Sequence, residues 1–151
     1  MRYAGLNKND FVNGEGVSVS LFTQGCPHHC PGCFNPETWA FDGGIEIEEN
    51  VLIAQVIAAL DANGIHRNLS ILGGEPLCPE NMPFVIKLID EVLLYHPATK
   101  IYVWTGYERH ELKDNPLLDS IDVLICGRYQ ESLRDITLPL RGSSNQEVIR
   151  K

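Results

Sequence analysis

Apolar and polar residues alternate from Val17 to Thr23 (VSVSLFT), and this period of two, with β-branched residues in it, predicts a strand. From Glu48 to Ala62 the period changes: Ile53, Val56, Ile57 and Leu60 recur at helical spacing, Glu48 and Glu49 stand at the start, and Asn63-Gly64 follows the end. Asn68 to Leu72 predicts a short strand running into Gly73-Gly74-Glu75-Pro76. A second helix is expected from about Asn81 to Tyr95, with Asn81 as its cap, Pro83 in the first turn, and Phe84, Leu88, Val92 and Tyr95 on one face. Lys100 to Thr105 and Ser120 to Cys126 predict two further strands, with one or two helical turns between them from Glu108 to Lys113. The last 24 residues are polar and less regular.

Strands alternating with helices predict parallel βα units, in which ligands gather at the carboxyl ends of the strands. The unusual residues of this chain fall there. A cysteine-rich loop follows the first strand, Gly73-Gly74 the second, Thr105-Gly106 the third and Gly127-Arg128 the fourth.

Composition narrows the class. The chain has 151 residues, 44% hydrophobic and 21% charged, which is ordinary globular usage and the length of one domain, expected here over 1–151. With 12 basic and 20 acidic residues the net charge is −8, the opposite of a protein that binds nucleic acid by neutralising phosphates. The longest apolar run, Val56 to Leu60, is five residues, and Met1 to Lys8 carries no apolar signal core. A cytoplasmic protein with no membrane segment is the expectation.

The five cysteines carry the chemistry. An odd number argues against a closed disulfide framework, and three of them, Cys26, Cys30 and Cys33, form a CxxxCxxC loop. Thiolates at that density select zinc, Cu(I) or an iron–sulfur cluster. Structural zinc takes four ligands, commonly as two separated pairs, so a fourth would have to come from His28, His29, Cys78 or Cys126. Three ligands on a cubane would leave one iron open to a substrate. Cys78 and Cys126 stand alone and read as buried small hydrophobes. His28 and His29 read as hydrogen-bonding or exposed neighbours of the thiols, and Trp39 as a shield against water.

CxxxCxxC after a strand, followed by Gly-Gly-Glu-Pro after the next strand, resembles the radical S-adenosylmethionine family. Asn13-Gly14-Glu15-Gly16, Gln24-Gly25-Cys26 and Cys33-Phe34-Asn35-Pro36-Glu37-Thr38-Trp39 resemble its glycyl-radical-enzyme activases. The short length and Arg141-Gly142-Ser143-Ser144-Asn145-Gln146 resemble most nearly those whose partner is an anaerobic ribonucleoside-triphosphate reductase. Activases of pyruvate formate-lyase type share the loop and the glycine motif and are the alternative within the family. A small zinc-binding interaction module is the alternative outside it.

The resemblance implies a [4Fe–4S] cluster on Cys26, Cys30 and Cys33, with S-adenosylmethionine chelating the fourth iron. One electron then cleaves the sulfonium, and a 5′-deoxyadenosyl radical takes hydrogen from a glycine of the reductase. No catalytic acid or base is needed on the protein. Gly73, Gly74 and Glu75 match the motif that receives the methionine amino group, with Glu75 bracing the turn. Of the two lone cysteines, Cys78, four residues after Gly74, is the one expected nearer the cofactor. Gly32, Cys33 and Phe34 are expected on the adenine side, although many relatives carry an aromatic residue where Gly32 stands. Thr105 is expected to touch ribose or carboxylate or to cap the strand end, and Asn13 stands where related activases often carry Asp. The implied fold is a partial, open βα barrel of about five or six mostly parallel strands. The implied partners are the reductase, a flavodoxin-like electron donor and a second copy of the chain in a complex with the reductase.

Overall fold

The structure, a computed structural model, describes residues 1–151. It is one mixed α/β unit built on a single seven-stranded sheet. The strands are β1 (Arg2–Asp10), β2 (Ser18–Thr23), β3 (Ile45–Glu46), β4 (Asn68–Gly73), β5 (Ile101–Thr105), β6 (Val123–Cys126) and β7 (Glu147–Arg150). Two helices, α1 (Glu49–Leu60) and α2 (Met82–Tyr95), complete the regular elements apart from short 3-10 turns. The sheet order is β3-β1-β2-β4-β5-β6-β7. The four central strands are parallel, with Ser18 opposite Asn68, Leu69 opposite Ile101 and Tyr102 opposite Val123. The three outer pairings are antiparallel. The strand count therefore exceeds the five or six expected, and the parallel character is confined to the middle.

The four central strands alternate between two faces. Val19, Leu21, Leu69, Ile71, Ile101, Val103, Leu124 and Cys126 point to one side and pack on Leu52, Ile53, Val56 and Leu60 of α1 and Phe84, Val85, Leu88, Ile89 and Val92 of α2. This is the main core, and most of its members are fully buried. Full burial of each such side chain contributes about 1.5–3 kcal/mol. Tyr95, expected on the buried face of α2, is instead exposed at its C-terminal end.

The opposite face of the sheet carries no helix. Tyr102, Val123 and Ile125 form a small cluster there with Trp104, Leu140 and Val148. Ser18, Ser20 and Ser70 are buried on the β2 and β4 part of that face, beneath the loop 11–17. Gly14 in this loop has φ +115, and a Cβ there would stand 2.7 Å from Ser18 Oγ and 2.9 Å from Ser70 Oγ, so the loop closes down only on a bare glycine. The chain from 134 to 146 covers the other half. No helix of the structure is long and apolar enough to cross a membrane.

Glu48 caps α1 by accepting from Asn50 N at 3.1 Å. At the other end the Arg67 guanidinium, only 3% exposed, donates to the carbonyls of Ala59, Ala62 and Ile65 and to Asn9 Oδ1. Asn81 departs from its expected role. Its side chain makes no cap bond, and Nδ2 instead donates to the carbonyls of Gln24, Gly25 and Glu75 at 3.1, 3.2 and 2.9 Å.

Candidate functional site

Thr23, Gly73, Thr105 and Cys126 end the four parallel strands on one edge of the sheet. A cavity of about 540 Å³ opens there, within the roughly 300–1,000 Å³ typical of small-molecule sites. Cys26, Cys30 and Cys33 all line it, with Phe34, Gly73, Gly74, Glu75 and Thr105. Of the residues expected from sequence to hold the cluster or the cofactor, Gly32 alone is absent from the lining. Its φ is +76, and the place a Cβ would take is occupied by the Glu131 carboxylate.

Glu75 organises the site. It is 1% exposed, and a buried carboxylate is tolerated only when its oxygens are hydrogen-bonded. Oε1 accepts from Thr105 Oγ1 at 2.7 Å and Leu77 N at 2.9 Å, and Oε2 accepts from Gly106 N at 2.7 Å. His28 Nε2 lies 2.7 Å from the same Oε2, with its side chain 6% exposed. One side chain thus joins the cysteine loop, the Gly-Gly turn and the end of β5. The Thr105 hydroxyl is committed to this bond and also accepts from Tyr107 N at 3.2 Å.

Close packing holds the same three segments together. Gly74 lies so near the cysteine loop that a Cβ would stand 2.4 Å from Gly25 O, and one on Gly106 would stand 2.4 Å from the His28 ring. Gly25 O in turn accepts from Glu75 N at 2.8 Å. His29 is stacked on Trp39 with ring centroids 4.8 Å apart, and Phe34 packs on Tyr129 at 5.0 Å beneath the Arg134 guanidinium. Neither the His28–Glu75 contact nor the Asn81 bracket was visible in the sequence. Both join segments 47 or more residues apart, and no local pattern encodes them.

Burial pushes the Cys26 and Cys30 thiols up, against backbone N–H groups that favour the thiolate. Cys33 Sγ accepts from Asn35 N at 3.4 Å. Cys78 and Cys126 are buried away from the cavity lining, and burial raises each to about 11, so both are neutral thiols packed as small apolar groups.

Known proteins place this arrangement. A family model described as "4Fe-4S single cluster domain" matches residues 12–149. The anaerobic ribonucleoside-triphosphate reductase-activating protein of Salmonella typhimurium is 40% identical over 151 residues, covering 98% of this chain and 97% of that one. The proteins of the same name from Escherichia coli and Vibrio cholerae are 39% and 36% identical, the first covering 98% of this chain and 97% of its own, the second 99% and 98%. The chain belongs to this family of activating proteins.

For a member of the family the donor set is apt. Three soft thiols face one cavity. Cluster proteins use thiolate ligands of this kind.

Proposed function

We propose that this chain, as one domain over 1–151, generates a glycyl radical on an anaerobic ribonucleoside-triphosphate reductase. Cys26, Cys30 and Cys33 would hold a [4Fe–4S] cluster, and Gly73, Gly74 and Glu75 would receive the methionine end of S-adenosylmethionine. When bound, this pair supplies reductive cleavage of the sulfonium and abstraction of hydrogen from a glycine of the reductase. The chain's own residues orient and shield. The Gly-Gly turn presents backbone without a Cβ, Glu75 fixes that turn to the cysteine loop through His28, and Trp39 and Phe34 form apolar walls. Phe34 and the backbone about Gly32 and Cys33 would pack beside adenine. The observation that carries this reading is the convergence of all three thiols and the Gly-Gly-Glu turn on one cavity.

In this reading the sheet is a partial βα barrel, its helices outside and its cavity on the helix-free face. The expected electron donor is a flavodoxin-like carrier, the expected compartment the cytoplasm, and the expected assembly a homodimer bound to the reductase. Anaerobic reconstitution should yield a brown protein with iron and sulfide in the ratio of one [4Fe–4S] per chain. On reduction with S-adenosylmethionine it should form 5′-deoxyadenosine, and with the reductase an EPR-visible glycyl radical. A Cys30→Ala protein that kept a full cluster and still cleaved the sulfonium would sink the proposal. A radical formed on pyruvate formate-lyase but not on the reductase would redirect it.

A further inference from the structure

The chain is acidic, with 20 acidic against 12 basic residues, and its arginines are almost all engaged. Arg2, Arg109, Arg128, Arg134 and Arg150 pair with Glu46, Glu147, Glu111, Glu131 and Glu15. Arg67 has no carboxylate but is saturated by three carbonyls and Asn9. Arg141 has neither arrangement. It makes no salt bridge, and its single hydrogen bond runs from Nη1 to the carbonyl of Gln146 at 3.0 Å. Its Nε is buried without any partner. A guanidinium carries five N–H donors; Nη2 has no partner and, unlike Nε, is not sealed from solvent, so it is the donor that a ligand can meet.

Arg141 is also the only arginine or lysine lining the cavity. The one carboxylate there, Glu75, has both oxygens engaged by other donors. Asp135, in the same loop as Arg141, uses Oδ1 for the N–H and hydroxyl of Thr137. Asp135 feels the Arg141 charge but makes no ion pair with it and does not line the cavity, so within the lining Arg141 has no carboxylate partner. The backbone is fixed on both sides of it. Leu140 has φ +64, a left-handed conformation that a branched side chain rarely adopts, and its carbonyl accepts from Trp104 Nε1 at 2.8 Å. Gln146 Oε1 accepts from Gly142 N and Ser143 N at 2.9 and 3.1 Å. A guanidinium held this way is preorganised for a planar anion.

We propose that Arg141 binds the carboxylate of S-adenosylmethionine, its free Nη donors holding the methionine end of the ligand in the cavity. This rests on the function proposed above. Equilibrium binding of S-adenosylmethionine and of its decarboxylated analogue to the anaerobically reconstituted protein tests it, in the wild type and in Arg141→Met and Arg141→Lys. Arg141→Met should weaken S-adenosylmethionine about tenfold and leave the analogue unchanged, with Arg141→Lys between, the scale of a lost charge-assisted hydrogen bond. Iron chelation by the carboxylate is common to both proteins and cancels in the ratio of ratios. An equal loss for both ligands would mean that Arg141 only maintains the fold of its loop. No loss for either would mean that it meets some other anion, such as an acidic side chain of the reductase. Both outcomes overturn the assignment while leaving the proposed function intact. Failure of the wild type to bind S-adenosylmethionine at all would overturn the function and this assignment together.

Discussion

Glu75 concentrates the physics of the site in one side chain. Its two oxygens meet four donors from three segments. Glu75→Gln keeps the shape but replaces an acceptor oxygen with an amide that can only donate. It should cost about 2–4 kcal/mol of stability, measured by urea denaturation, because buried donors are left unmet. Unchanged stability would show that the donors find water instead. Gly74→Ala should act on the site itself, since its Cβ would press on the Gly25 carbonyl 2.4 Å away. Less iron per chain after reconstitution is the expected result, with a wild-type iron content counting against that close approach. The types of these residues were legible in the sequence: the thiols, the Gly-Gly pair and a bracing Glu75 all line the cavity. The partners were not. Asn81 looks like a helix cap because it precedes an apolar period, but three carbonyls of the folded site claim its amide first.

At the scale of elements, the strands and helices whose apolar positions are buried are legible in the sequence, and those whose positions are not buried are not. The four central strands and both helices lie within a few residues of their expected ends. Arg2–Asp10, Ile45–Glu46 and Glu147–Arg150 are edge or near-edge strands whose side chains, Asp10 apart, are half-buried or exposed, so neither alternation nor an apolar run marks them. Their order comes from pairing: β1 with β2, β3 with β1, and β7 with β6. The C-terminal end of α1 depends likewise on a remote residue, and Arg67→Met should remove about 2–3 kcal/mol through the loss of its buried carbonyl contacts, read from the urea midpoint. The turn after β5 is tied to the end of β6 by Arg128 and Glu111, bonded at 2.9 and 3.1 Å. Those bonds, with the Glu108 N–H, hold the Glu111 carboxyl down at about 2. A depressed carboxyl contributes stability above its unfolded pKa near 4.5 and loses it as pH falls through its folded value. The fall in Tm between pH 4.5 and 2 should therefore be smaller in Arg128→Met than in the wild type, although this pair is exposed and its effect modest.

At the scale of the molecule the decisive feature is asymmetry. Helices cover one face of the sheet, while the other is closed by the loops 11–17 and 134–146, with the cavity between them. The mouth is apolar. Val12 and Ile136, 81% and 76% exposed, line it from opposite loops, with Phe11 beside Val12 at 75%. Apolar groups gathered at the entrance of a polar site are where a protein partner is expected to sit. Ile136→Asp should leave cleavage of S-adenosylmethionine by the isolated protein unchanged and lower glycyl-radical formation on the reductase about tenfold or more, as EPR would quantify. An equal drop in both assays would place Ile136 in the cofactor site rather than at the entrance.

In the function proposed above, a sheet roofed by loops is a vessel whose last wall would belong to the reductase. Containment is then a matter of timing rather than of shape. A reactive species released before the reductase docked would meet water and the chain's own aromatic groups, Trp39 and Tyr129 among them, since both face the cavity. How long the partner stays, more than how tightly the cofactor is held, would set the fraction of turnovers that end on the intended glycine.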